Sequence, residues 1–105
     1  MTTKMDDNLI ARLVDSGNYQ FRKHAAERAA ERGIDPLDVK EAILNGKIIE
    51  HYPDDPRGYS FLVSGKSREI KYTHIVCGYQ DGILWIITVY EPDPEDWHDP
   101  YQRRC

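Results

Sequence analysis

The sequence predicts an α+β fold in which N-terminal helices pack on one face of a mainly antiparallel four-stranded sheet. Two observations carry this. Apolar residues recur at helical spacing up to Gly46 and at strand spacing beyond it. Helix-capping residues punctuate the first half, whereas Pro, Asp and Gly turns punctuate the second. Helices followed by a meander of strands is the element order of an α+β layer. The 105 residues read as one domain: an N-terminal helix in 1–18, two helices in 19–46, the antiparallel sheet in 47–91 and an irregular tail in 92–105.

The first helix lies in "DDNLIARLVDSG". Asp6 or Asp7 is its N-cap, Leu9, Ile10, Leu13 and Val14 share a face, and Gly17 stops it. The second, "KHAAERAAERG", has no large apolar side chain. At about 100° per residue Ala25, Ala26, Ala29 and Ala30 make one continuous face, small enough for close approach to a sheet. His24, Arg28 and Arg32 step by four residues and form a ridge beside that face, with Glu27 and Glu31 as local partners. Gly33 is a natural C′ residue. The third helix is "DPLDVKEAILNG". Asp35 caps it, Pro36 suits its first turn, Asp38 favours the positive end of the dipole, and Gly46 closes it.

The strands follow. "KIIEHY" is a short β-run and "PDDPRG" a loop. In "YSFLVSG", Tyr59, Phe61 and Val63 alternate against Ser60, Leu62 and Ser64. "EIKYTHIVCGY" is a longer strand, with His74 on the face of Ile70, Tyr72 and Val76. Asp81-Gly82 turns the chain into "ILWIITVYE", which is apolar on both faces and so central. The tail "PDPEDWHDPYQRRC" is anchored by Trp97 and Tyr101, and His51 and His98 read as surface residues.

Composition narrows the function classes. Apolar content of 40% and charged content of 30% are those of a globular protein. A net charge of −4 and a pI near 5.5 argue against a strong, non-specific grip on nucleic acid. No apolar run approaches the ~20 residues of a membrane helix, and the N-terminus lacks the features of a secretory signal. Cys77 and Cys105 form no close pair, so a reduced, cytoplasmic protein is expected.

Several chemistries lack their residues. His74 and Cys77 are three apart on a strand and point to opposite faces, so they cannot share an ion, and no CxxC or HxxxH occurs; no metal or cofactor is expected. Phosphate-loop and dinucleotide glycine signatures and the GxSxG elbow are also missing. Metal-free cleavage of RNA has its residue types. It needs a base for the 2′-hydroxyl proton, an acid for the leaving oxygen and cations for the pentacoordinate phosphate. His24, Arg28, Arg32, His74, Tyr90, Arg103 and Arg104 can supply these.

The segments "HAAERAAERGID", "VKEAILNGKIIEHYPDD", "FLVSG", "THIVCGY" and "IITVYEPDPEDW", in that order, resemble a small bacterial family catalogued as a domain of unknown function. Its pattern reads HAxxRxxxRGI…V…AI…G.IIE.Y…LL.G…HVV…ITVY.P…W, and the match covers roughly residues 19 to 104. That family in turn resembles the RelE/ParE-like toxin superfamily, with its BrnT and MqsR types. Those are compact α+β proteins of toxin–antitoxin pairs, and many cleave mRNA without metal. The resemblance implies a RelE/BrnT-like fold and a metal-independent mRNA endoribonuclease. His24, Arg28, His74 and Tyr90 would then be catalytic, and Arg32, Thr88, Arg103 and Arg104 would bind substrate. RNA and an antitoxin protein are the implied partners. Arg22 and Lys23 stand where small hydroxyl residues often precede the histidine, and an acidic run from Glu91 to Asp99 follows Tyr90. That run and the acidic pI favour the alternative, a non-enzymatic protein-interaction module on the same fold. A purely structural network of His24, Glu27 and Arg28 is the third reading.

Overall fold

A computed structural model of the chain describes residues 5–68, 71–93, 95, 97–99 and 102–103. Among these residues, α1 (Asp7–Asp15), α2 (Lys23–Glu31) and α3 (Pro36–Asn45) cover one face of a five-stranded mixed sheet. Its strands are β1 (Tyr19–Phe21), β2 (Lys47–Tyr52), β3 (Ser60–Lys66), β4 (Tyr72–Gln80) and β5 (Ile83–Tyr90), in the order β1-β5-β4-β3-β2. The α+β class and the helices-first order are those expected, and β2 to β5 form the antiparallel meander. The four-stranded reading is corrected by β1. Its three residues pair parallel with β5, Tyr19 opposite Leu84 and Phe21 opposite Ile86. The tail is not wholly irregular either: β6 (Trp97–Asp99) and β7 (Gln102–Arg103) form a separate antiparallel pair. Tyr101, Arg104 and Cys105 lie outside the described residues, as does Ile70.

Local chemistry accounts for the helix ends. The Asp6 carboxylate accepts from the Leu9 N–H at 2.8 Å, and that of Asp35 from the Leu37 N–H at 2.8 Å, each satisfying a donor the helix itself leaves orphaned. Gly33 ends α2 at φ 69°, a left-handed conformation that glycine adopts without Cβ strain. Asp81 and Gly82 both take positive φ, as a two-residue hairpin turn of the I′ kind requires.

The core lies between the helices and the sheet. Ile10, Leu13 and Val14 of α1 and Val39, Ala42 and Ile43 of α3 meet Phe61, Val63, Ile75, Cys77, Leu84, Ile86 and Val89. Burial also pushes the Cys77 thiol pKa well up. The closest approach is α3 onto β3. A Cβ placed on Gly65 would sit 1.8 Å from the Ala42 carbonyl oxygen, and one on Gly46, which ends α3, would sit 2.7 Å from the Ser64 carbonyl oxygen of β3. Ala42 is fully buried there, so two glycines and an alanine set this crossing.

The alanine face of α2 divides. Ala25 and Ala29 are buried, as expected of a packing surface, but Ala26 and Ala30 are exposed. With Phe21, Ile34 and Pro36 they line a shallow apolar groove of about 160 Å³. The reason is geometric: β5 is the outermost long strand, and α2 lies at its margin, so only half of the stripe has a sheet beneath it.

Candidate functional site

The second face of the sheet, away from the helices, carries the residues that alternate with the core positions. Leu84 and Ile86 point into the core, and Trp85 between them points the other way. Trp85 is paired in register with Gln20 on β1 and with Gly78 on β4. A register shift where Ile86 pairs with Cys77 and Thr88 with Val76 leaves Ile87 as the extra residue of a β-bulge. Ile87 contributes to the same surface as Trp85.

Arg22 reaches this surface because it continues β1 by one more ladder bond. Its N–H donates to the Ile86 carbonyl at 2.9 Å before the chain turns into α2. Its guanidinium carbon lies 4.0 Å from the centroid of the Trp85 ring, within the range of a cation–π contact. Arg22 is also the N-cap of α2 and supplies no side-chain cap. The first turn of that helix therefore keeps its positive dipole end without a capping oxygen. His24 follows on that turn, its side chain 88% exposed, with Nδ1 3.5 Å from the Glu27 carboxylate.

Arg57 arrives from the opposite side, on the loop between β2 and β3. Asp55 fixes it, accepting from its backbone N–H at 3.0 Å, its Nε at 3.2 Å and its Nη2 at 3.1 Å. The Ser60 hydroxyl donates to the same carboxylate at 2.8 Å. These bonds, Arg57's first among them, hold the Asp55 carboxyl far below the usual carboxylate range. Between Arg22 and Arg57 lies an open cleft of about 560 Å³, lined also by His24, Gly78, Gln80, Trp85 and Ile87. Two guanidinium groups, an imidazole, an indole and an amide thus border one depression. No Asp or Glu borders it among the described residues.

The residues expected from the sequence distribute differently. His24 borders the cleft; Arg28, Arg32, His74, Thr88 and Tyr90 do not. His74 is fully buried, opposite Ser64 on β3 and Tyr90 on β5. Its Nδ1 lies 3.3 Å from the Tyr90 hydroxyl, with the rings edge to face at 5.3 Å. Tyr90 is five residues along β5 from Trp85, roughly 16 Å at a strand's ~3.3 Å per residue. The two histidines therefore do not share a cleft. Arg32, at the C-cap of α2, donates through Nη1 to the Val89 carbonyl. β1 pairs only with residues 84–86, so this guanidinium covers a β5 carbonyl beyond the end of β1. Arg28 is exposed, Thr88 is half-buried opposite Val76, Arg103 lies on β7, and Arg104 is outside the described residues. His51 is exposed, with Nδ1 against the Tyr59 hydroxyl, and His74 and Cys77 do face opposite sides of the sheet.

Arg57, Gly78 and Trp85 carry no functional signature in the sequence, and Arg22 stands out there only as a departure from the family pattern. Two local oddities are present all the same. An arginine stands where a helix N-cap prefers Ser, Thr, Asp or Asn, and a tryptophan and a glycine stand on strand positions out of phase with the core. The pairing of Trp85 with Gly78, which turns those two oddities into one hollow, needs the register.

A family profile described as Domain of unknown function (DUF4258) matches residues 21–91. That span runs from the end of β1 through β5 and includes all the cleft residues. No curated protein and no solved structure matches the chain.

Proposed function

The chain belongs to the family described as Domain of unknown function (DUF4258), and on that premise we propose that it binds single-stranded RNA in the Arg22–Trp85 cleft. The observation that carries this reading is the guanidinium of Arg22 stacked 4.0 Å from the Trp85 ring, in a cleft whose far rim holds Arg57. Proteins grip single strands by combining cations for the phosphates with π-faces for the bases. The net charge of −4 belongs to the whole chain, whereas the cleft is bordered by two guanidiniums, with the Asp55 charge that pairs Arg57 lying behind it. The proposed kinship with RelE/BrnT-like toxins belongs to the same reading. Helices on one face of an antiparallel β2–β5 meander support it.

Fluorescence anisotropy with a labelled single-stranded RNA tests the proposal. The wild type is expected to bind with an affinity that falls as salt rises, and Arg22→Ala and Trp85→Ala are each expected to weaken it by ~1–3 kcal/mol. Equal affinity for all three proteins would refute the assignment of this cleft.

A second reading, metal-free cleavage, is favoured by the exposure of His24 beside these cations. In it His24 takes the 2′-hydroxyl proton, the 2′-oxygen attacks the adjacent phosphorus, and the bond to the 5′-oxygen breaks. Water protonates that leaving oxygen, and Arg22 and Arg57 hold the charge of the phosphorane. The products would be a 2′,3′-cyclic phosphate and a 5′-hydroxyl, formed in the presence of EDTA. Bound RNA that stays intact over hours, in wild type and His24→Ala alike, would leave a binding protein and exclude the nuclease. Binding of a protein partner but of no RNA would support the interaction-module alternative.

A further inference from the structure

Resting on the RNA-binding reading, we propose that one unpaired nucleobase occupies the hollow over Gly78, with the phosphates on its two sides held by Arg22 and Arg57. The strand order places these groups in sequence across the sheet. Arg22 leaves β1, Trp85 stands on β5, Gly78 on β4, and Arg57 lies on the loop three residues before β3 begins. Three inter-strand intervals of ~4.8 Å separate the two cations' strands, roughly 14 Å in all, so they approach the hollow from opposite rims.

The hollow exists because position 78 has no side chain. A Cβ there would touch, among the described residues, only Ile87 Cδ1 at 3.4 Å and the Tyr59 carbonyl oxygen at 3.8 Å. The Trp85 ring therefore does not fold onto its cross-strand glycine, and Gly78, itself buried, is the bottom of the hollow beside the indole. Ile87 gives that floor an apolar, methyl-lined surface suited to a flat ring. Gln80, two residues from Gly78 on the same strand face, presents a donor and an acceptor to the edge of a base. On the far side Ser60 pairs with Gly78 and donates to Asp55, the carboxylate that fixes Arg57. The far rim is thus set before any ligand arrives. A chain of phosphates without bases would use the rims and leave the floor empty.

Trp85 reports directly on this. Trp97→Phe leaves it as the only indole of the sequence, and its fluorescence is followed on titration with a uridine hexamer and with a hexamer of abasic ribose phosphates. The uridine hexamer is expected to quench the indole and to bind ~10-fold or more tightly than the abasic one, the scale of one stacked base. Gly78→Val, which fills the floor at an extended position, is expected to remove most of the uridine hexamer's advantage over the abasic one. Equal affinity for the two oligomers, with Gly78→Val silent, would overturn the base site yet keep an RNA-binding cleft. Binding of neither oligomer would overturn both proposals. Should Gly78→Val unfold, as judged by circular dichroism, the comparison of the two oligomers on the Gly78-containing protein decides alone.

Discussion

Asp55 and Arg57 illustrate how a single side chain can be ordered by its neighbours before it meets a ligand. Four donors from two residues converge on one carboxylate whose side chain is only 11% exposed, and these bonds hold its pKa well down, so the ionised form is the one favoured in the fold. A depressed native pKa contributes stability above the unfolded value, about 3.9 for Asp, and loses it as pH falls toward the native value. Wild-type stability is therefore expected to decline below about pH 4 through this group, and Asp55→Asn to remove that part of the decline, in urea unfolding from pH 6 to pH 2. Arg32 makes a second residue-scale case. Although its ridge partner Arg28 has the same spacing on α2, Arg32 alone donates to a β5 carbonyl. Arg32→Ala is expected to cost ~1 kcal/mol in chemical denaturation and Arg28→Ala less than ~0.5 kcal/mol. The helical spacing showed that the two would share a face. Which of them finds an unpaired carbonyl depends on where β1 ends, and no local pattern encodes that.

At the scale of elements, the legible parts are those with their own periodicity or caps. α1 and α3 announce themselves by Asp6, Asp35 and Pro36, β3 by its alternation, β5 by its apolar run, and the hairpin by Asp81-Gly82. β1 does not. Its three residues are too few to show a period of two, and their partner strand lies some sixty residues away. The division of the alanine face has the same origin, since helix geometry gives the stripe but the sheet's margin decides how much of it is covered. The α3–β3 crossing is the element contact most sensitive to volume. Gly65→Ala would place a methyl group against the Ala42 carbonyl, and either α3 lifts or β3 bends. It is expected to destabilise the protein by ~2–3 kcal/mol, the range of an overpacked core. Thermal unfolding should show it as a clear fall in Tm, whereas Gly17→Ala, with nothing near its Cβ, should show only the smaller strain of its positive φ.

For the molecule as a whole, chemistry is distributed along β5. One end holds the Arg22–Trp85 stack at an open cleft, and the other holds a buried His74–Tyr90 pair. Residue type puts His24 and His74 together as catalytic candidates, although the strand alternation around His74 already suggests a partly buried residue, and burial separates an exposed imidazole from one enclosed in packed surroundings. His74→Ala is accordingly expected to cost ~2 kcal/mol or more of stability and to leave RNA affinity per folded molecule unchanged. The overall acidity likewise says little about a cleft whose border is cationic. The most direct test is a ¹⁵N NMR titration of the protein with a short single-stranded RNA, observing backbone amides and the Trp85 indole N–H. Saturable shifts confined to Arg22, His24, the Arg57 loop, Gly78–Gln80 and the Trp85 indole are the predicted result. Unchanged spectra, or shifts centred instead on Ala26, Ala30 and Ile34, would contradict it.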